Sequence, residues 1–228
     1  LFWPEAKKPG EMQKYYSIPQ NQLESITYAG QMTIADKKTA RVEYLIQREE
    51  NILKPKEPLY RIDVKSLSTT DSKAAARVAE LQGAKSFYAS SMVRTMVQDW
   101  SEPDYFYILK HESERDGEYG LKDCANKLTL TFRTRTKQFC VGTASQGDSR
   151  RYLLDVDADK ILITPDFTVR RLINNIFAQR EQSLHPYGND GVDTIDVKVA
   201  PALLIKYPLL REKTGDRKST RLNSSHQI

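Results

Sequence analysis

The sequence predicts an α+β fold, with a helical N-terminal half followed by a mixed or mainly antiparallel sheet that carries one flanking helix. Three observations lead to this prediction. Apolar residues recur at helical spacing at several places before residue 100, and after residue 105 they alternate with polar residues as strands do. The composition, 39% hydrophobic and 29% charged, is typical of a globular chain that buries a core.

The N-terminal segment, residues 1–54, is expected to be a helical lead-in. A helix is predicted over residues 35–54, because several apolar side chains fall on one of its faces. These side chains are Val42, Leu45, Ile46 and Leu53. Residues 54–58 read Lys-Pro-Lys-Glu-Pro, and two prolines with charges between them predict a stiff linker after the helix. We expect an α+β domain to follow over residues 59–210.

The first part of this domain carries clear start and stop signals. Residues 59–65 alternate as a strand does. Asp71 is suited to cap a helix that runs to Gly83. A second helix is predicted over residues 87–100, where apolar residues recur at offsets of three and four, and a strand follows over 105–110.

The second part of the domain is expected to be rich in strands. Residues 127–140 show the most regular alternation in the chain, which predicts one continuous strand with an apolar and a basic side. The apolar side holds Leu128, Leu130 and Phe132, and the basic side holds Arg133, Arg135 and Lys137. The remaining predicted elements are strands over 151–157 and 160–164, a helix over 167–184, and closing strands over 195–199 and 203–210.

The last thirteen residues, 216–228, differ in kind from the rest of the sequence. Residues 216–226 match the in-frame translation of a common short-read sequencing adapter, so we expect this tail not to be native protein. The tail holds three basic residues and one acidic residue, so the formal net charge of +5 falls to +3 without it. Such a balance is ordinary, and an anionic partner has to be argued from a local cluster of cations.

One such cluster is present in the second half of the chain. Its members are Arg133, Arg135, Lys137, Arg150 and Arg151. The cluster favours a binding or assembly module that contacts an anionic partner, with other proteins as further partners. Nucleic acid is the expected anion, because guanidinium groups suit phosphate and Phe139 or Tyr152 would stack on bases. The same pattern is also typical of an exposed sheet surface on which cations discourage edge pairing.

Asp155 and Asp157 support an alternative function. Residues two apart on a strand share a face, and the pattern resembles the metal-holding strand of polymerase and primase palms. The resemblance implies a nucleotidyl- or phosphoryl-transfer enzyme in which Mg²⁺ is held by these carboxylates, joined by Asp159. A competing interpretation places residues 157–160 in a hairpin turn, with Asp155 solvated beside Arg151 and no cofactor.

Cys124 and Cys140 have too few ligand neighbours for a structural zinc site. We expect two reduced thiols in an intracellular protein, since a disulfide would require the chain between them to fold back. His111 and His185 are the only histidines outside the tail, and neither belongs to a Ser or Cys catalytic motif.

No apolar run approaches the roughly 20 residues that a membrane helix needs, so no membrane is expected as a partner.

A third hypothesis stands beside the binding module and the metal-dependent enzyme. In this hypothesis the chain is a structural protein of a larger assembly, and its surface charges serve solubility alone.

Overall fold

The structure is a computed structural model that describes residues 11–35, 38–51, 56–83, 85–145 and 149–180, together with the backbone of 194–200 and 203–208. The chain divides into two compact units, residues 1–182 and 183–228. The predicted adapter tail and His185 lie outside the described residues. The predicted helix over 167–184 is too long, because the structure ends this helix at Ile173 and Asn174 is extended.

The first unit is built on one antiparallel sheet of nine strands, and the prediction of a helical N-terminal half is wrong. The nine strands of the sheet are β2 Leu23–Ala35, β3 Lys38–Glu49, β4 Leu59–Ser68, β5 Ser86–Tyr88, β7 Tyr107–Lys110, β8 Lys127–Phe132, β9 Thr136–Ala144, β10 Arg150–Asp155 and β11 Lys160–Pro165. Two short strands, β1 Gln13–Lys14 and β6 Asp104–Tyr105, pair with each other outside this sheet. The order in the sheet is β5-β4-β3-β2-β8-β9-β10-β11-β7. Strands β5 and β7 are therefore its two edges.

Strand β3 occupies the place of the predicted helix over residues 35–54. Its buried side chains alternate strictly with exposed ones, and they are Ala40, Val42, Tyr44 and Ile46. This period of two matches a strand whose one face is covered, whereas the helical interpretation placed Leu45 on the buried face, where the structure leaves it only half-buried. The long hairpin of β2 and β3 keeps its register from Ser25 opposite Gln47 to Thr33 opposite Thr39.

Four α-helices accompany the sheet in the part of the chain that the structure describes. They are α1 Ser72–Gln82, α2 Met92–Ser101, α3 Asp116–Tyr119 and α4 Asp166–Ile173. The helix predicted after Asp71 is confirmed, with the Asp71 side chain accepting a hydrogen bond from the backbone N–H of Lys73. The helix predicted over 87–100 begins only at Met92, because Phe87 belongs to the edge strand β5.

The main core lies between one face of the sheet and the helices α1, α2 and α4. Alternate residues of each strand point into it, so Tyr28 and Tyr44 are fully buried side by side. The Tyr44 hydroxyl donates to the carbonyl oxygen of Leu172 at 2.9 Å, which joins β3 to α4. The sheet and the helix therefore position each other through a buried hydrogen bond.

The continuous strand predicted over residues 127–140 is wrong, because the chain reverses within it. Strands β8 and β9 form a hairpin in which Thr131 pairs with Thr136. The reversal places Cys140 opposite Lys127 and brings it to Cys124. The two cysteines form a disulfide, so the prediction of reduced thiols is also wrong. The expected intracellular setting loses its support, since disulfides persist mainly in oxidising compartments.

A smaller second core surrounds this disulfide. It contains Tyr119, Leu121, Cys140, Leu154 and Ile161. Leu153 and Leu162 belong to the main core, and because neighbouring strand residues point to opposite faces, the second core covers the other face of the sheet. The segment 111–126 thus packs across one end of the sheet.

In the second unit the described residues form an antiparallel hairpin of β12 Thr194–Ala200 and β13 Leu203–Pro208. Both strands fall where the sequence predicts closing strands. No helix in the described part of the chain has the length and apolar character needed to span a bilayer.

Candidate functional site

The five cations of the predicted cluster do not share one face. Arg133 and Arg135 lie in the turn between β8 and β9. Arg133 is 60% exposed and its Nε lies 3.8 Å from a carboxylate oxygen of Glu24, and the Arg135 guanidinium stands over the Tyr16 ring. Arg150 contacts the rings of Phe106 and Tyr107. The reversal of the chain in this turn removes the periodic face that the alternation predicts.

Lys137 points inward rather than to a partner. Its ammonium group donates to Asp155 Oδ2 at 2.9 Å and lies within 6 Å of the ring centroids of Tyr15, Tyr16 and Phe139. Only 14% of the Lys137 side chain and none of the Asp155 side chain is exposed. The pair is therefore an internal ion pair between β9 and β10, in which aromatic rings surround the cation.

Asp155 begins the hairpin turn between β10 and β11, and the predicted hairpin is confirmed. Its Oδ1 accepts backbone N–H bonds from Asp157 and Ala158, each at 3.0 Å. Burial alone would raise the pKa of Asp155, but the bonds from Lys137 and Ala158 outweigh burial and lower it. The expectation that Asp155 is solvated beside Arg151 is wrong.

The arrangement around Asp155 does not resemble a metal centre. Its two oxygens are already used by the ammonium group and the turn amides, and the Asp157 side chain is exposed on the turn. Among the residues that the structure describes, no group of three or more His, Cys, Asp or Glu side chains is placed to hold a metal ion. Two-metal chemistry requires such convergence.

Arg151 belongs to a second buried charge cluster. Its Nε donates to Asp166 Oδ1 at 2.7 Å and its Nη1 donates to the carbonyl oxygen of Gly142 at 2.9 Å. Asp166 Oδ2 accepts from Nε of Arg170 at 2.9 Å. Burial would raise the pKa of Asp166, but the two guanidinium groups outweigh it and lower the pKa. Two cations share one carboxylate, so these three residues together carry a net positive charge.

A cavity of about 220 Å³ lies beside Arg151. It is lined by Tyr28, Gln31, Met32, Thr33, Thr39, Gly120, Asn126, Val141, Gly142, Thr143, Arg151 and Ile173. Seven of these twelve lining residues carry a hydroxyl, amide or guanidinium group, and no carboxylate is among these described lining residues. The volume corresponds to about seven water molecules at roughly 30 Å³ each. It suits a small polar or anionic molecule.

Short hydrogen bonds hold the polar wall of this cavity in place. The Tyr28 hydroxyl donates to the carbonyl oxygen of Gln31 at 2.7 Å, and Asn126 Oδ1 accepts the Gln31 backbone N–H at 2.8 Å. A side chain at Gly30 would clash with this wall, since its Cβ would lie 2.7 Å from the hydroxyl oxygen of Tyr28. Tyr28 is buried, and burial raises its pKa, although the charge of Arg151 opposes the rise. The Tyr28 hydroxyl therefore stays neutral and can donate a hydrogen bond.

A second, larger cavity of about 600 Å³ opens where β2, β3 and β4 begin or end. Its lining includes Glu24, Glu49, Arg48 and Arg133. Glu50 also lines it, so three carboxylates stand against two guanidinium groups, and this cavity disfavours an anion. The smaller cavity is the better candidate site for an anion, because its described lining includes an arginine and no carboxylate.

Comparison with known protein families, curated proteins and solved structures found no match to this chain. Function therefore has to be argued from the site itself.

Most residues of this site carry no signal in the sequence. Tyr28 and Asn126 are single polar residues in segments far apart in the chain, and Asp166 is predicted only as part of a helix start after a proline. Arg151 is the one predicted site residue that lines the cavity. These residues come together because β2 pairs with β8 and β9 pairs with β10. The periodicity of a sequence predicts strands but not the order in which they pair, so the site could not be predicted from it.

Proposed function

We propose that this protein is a binding module that takes a small anionic ligand, such as a carboxylate or an oxyanion, in the cavity at Arg151. The observation that supports the proposal is the sharing of one buried carboxylate, Asp166, by the guanidinium groups of Arg151 and Arg170 beside a polar cavity. Guanidinium groups favour anions with planar or multiple oxygens.

The structure of the cavity wall supports the same ligand class. The Asn126 amide and the guanidinium nitrogens of Arg151 that do not bond Asp166 would donate hydrogen bonds to an anion. The hydroxyl groups of Tyr28 and Thr143 already donate to backbone carbonyl oxygens, so they shape the wall of the cavity and leave these donors to the ligand. The proposal narrows the anionic partner expected from sequence. A polyanion would need several outward cations, whereas Lys137 and Arg151 of the predicted cluster bind internal carboxylates.

The test is a titration with sulfate, acetate and neutral glycerol at constant ionic strength, followed by two-dimensional NMR. We expect sulfate and acetate, but not glycerol, to shift the backbone amides of residues 141–143. Arg151→Gln should weaken this binding about tenfold or more, because hydrogen bonds to charged groups contribute about 1.5–3 kcal/mol. Anions that shift no cavity amides would contradict the proposal.

Two further variants keep the result interpretable if Arg151→Gln loses its fold. Arg170→Gln removes one of the two cations that share Asp166, while its own side chain is 59% exposed and does not line the cavity. It should weaken sulfate binding by a smaller factor. Arg133→Gln is the matched control, because it removes an exposed cation from a distant turn, and it should leave the affinity unchanged.

A single-stranded oligonucleotide added to the same protein distinguishes a small anion from a polyanion. Binding that is lost in Arg133→Gln/Arg135→Gln but retained in Arg151→Gln would favour a polyanion partner and overturn the cavity as the site. The salt dependence of the oligonucleotide affinity would then count the phosphates contacted.

A further inference from the structure

His111 joins three separate parts of the fold. It follows directly on β7, and its Nδ1 lies 2.6 Å from Asp159 Oδ1 in the turn between β10 and β11. Its Nε2 lies 3.0 Å from Asp116 Oδ1 at the start of α3. We name these three residues the His111 clasp. The His111 side chain is 16% exposed and that of Asp116 24%, whereas that of Asp159 is 78% exposed, so water screens the contact with Asp159 more than the contact with Asp116.

The two contacts require a particular protonation state. Ionised carboxylates only accept hydrogen bonds, and a neutral imidazole has a single N–H. Both ring nitrogens of His111 face carboxylate oxygens, so both bonds form together when the ring is an imidazolium. Loss of the proton leaves one nitrogen lone pair against a carboxylate oxygen. One arm of the clasp must then break or rearrange.

The charges around His111 favour the closed state. The hydrogen bond to Asp159 is the main cause that raises its pKa, partial burial opposes the rise, and Asp116 adds to it. The charged neighbours next in sequence are Lys110 and Glu112 on either side of His111, and Lys160 beside Asp159; the two lysines pair across β7 and β11. These lysines disfavour the imidazolium, but the two carboxylates outweigh them, since the pKa of His111 is raised overall.

The segment that the clasp holds forms part of the cavity wall. Residues 111–126 are anchored at one end by the clasp and at the other by the disulfide of Cys124 with Cys140. Gly120 lies between the two anchors and Asn126 follows the second, and both line the cavity at Arg151. Release of the clasp would free the segment at its first end alone.

We propose that the His111 clasp is a pH-dependent closure of residues 111–126 over the anion cavity, closed when His111 is protonated and open when it is neutral. Its effect on ligand binding rests on the proposed function, whereas the movement of the segment does not. The clasp is fully formed below about pH 6.5, the ordinary histidine value, and is lost as pH rises through the raised pKa of His111.

Hydrogen exchange measured by NMR tests the movement. Leu121 N–H donates to the Asp116 carbonyl oxygen and Cys124 N–H to that of Leu121, so both amides report on the segment. Between pH 5.5 and pH 8.5, after correction for intrinsic rates, their protection should fall about tenfold relative to amides of β3, because loss of one charge-assisted hydrogen bond of about 1.4 kcal/mol changes an equilibrium about tenfold.

Two variants separate the clasp from other titrating groups. In His111→Gln the protection of Leu121 and Cys124 should be low at both pH values, because the amide carries no positive charge and both of its N–H groups lie on one nitrogen, whereas the two carboxylates face separate ring nitrogens. In Asp159→Asn the midpoint of the His111 ring titration should move to lower pH, since one anion is removed. Unchanged protection across the pH range in the wild type, or the same transition in His111→Gln, would overturn the proposal.

Sulfate affinity measured over the same pH range gives a separate answer about the ligand. Weaker binding and faster release at pH 8.5, absent in His111→Gln, would support closure over the cavity. If sulfate fails to bind at any pH while the protection of Leu121 still falls, the proposed ligand class is wrong and the clasp stands. If sulfate binds equally at both pH values, the clasp does not control the cavity.

Discussion

At the scale of single residues, Lys137 and Asp155 show how a buried charge is tolerated in this fold. The ammonium group of Lys137 contacts one carboxylate and three aromatic rings. The carboxylate of Asp155 accepts hydrogen bonds from this ammonium group and from two backbone amides of the turn. Tyr15 also bonds Asp155, and burial together with that bond raises the pKa of Tyr15 to about 12. Removing either charge leaves the other buried without its counter-ion.

Asp155→Asn is therefore expected to lower the free energy of unfolding by about 3 kcal/mol, the usual cost of breaking a buried ion pair. Urea unfolding at pH 7 measures it. The pKa of Asp155 is lowered in the fold, so its contribution is present above about pH 4 and is lost as pH falls through the native pKa. The difference between wild type and variant should shrink in acid.

Asp157→Asn is the matched control for this prediction, since its side chain lies exposed on the same turn. It should change the free energy of unfolding by less than about 0.5 kcal/mol. Mg²⁺ should stabilise neither protein. Stabilisation by Mg²⁺ that both substitutions abolish would instead support the metal-dependent enzyme.

At the scale of elements, close approach of two backbones shapes the cavity wall. Strand β9 passes beneath the end of α3, where Arg151 bonds the carbonyl oxygen of Gly142. A Cβ at Gly142 would lie closer to the Tyr119 carbonyl oxygen than van der Waals contact allows, and 3.1 Å from Tyr152 Cβ. Gly120 adopts a left-handed conformation with φ of 67° directly after α3. The chain can follow this path because both positions lack a side chain.

Gly142→Ala should therefore destabilise the protein by about 2 kcal/mol, because the backbones of β9 and α3 must separate to admit the methyl group. Thermal and urea unfolding measure the change. Gly117→Ala is the control within α3, since a Cβ there meets nothing within 4 Å. It should be neutral or stabilising by about 0.5 kcal/mol, because alanine is the better helix former. Equal effects at both positions would contradict the packing argument.

At the scale of the whole molecule, the sequence predicted local structure better than long-range structure. Asp71 at the helix cap and the turn after Asp155 carry signals within a few residues, and both predictions are confirmed. The hairpin at Arg133 was missed because alternation looks the same in one long strand and in two that reverse. The cavity at Arg151 depends on strand order, which local patterns do not encode.

The disulfide of Cys124 with Cys140 joins the segment 111–126 to the sheet across the smaller core. Few apolar residues surround it, so this core depends on the covalent link more than the main core does. Cys124 and Cys140 are 16 residues apart in sequence. A loop of about 15 residues closed by a disulfide is stabilised by about 3 kcal/mol.

Cys124→Ala/Cys140→Ala should accordingly lower the free energy of unfolding by about 3 kcal/mol and leave the nine-stranded sheet folded, because the main core lies on the opposite face. Urea unfolding gives the first quantity, and the amide protection of β2 and β3 gives the second. A reductant should lower the stability of the wild type by a similar amount and leave the double variant unchanged. If a reductant leaves the wild type unaffected and both cysteines alkylate readily without it, the thiols are free and the segment is held by the His111 clasp alone.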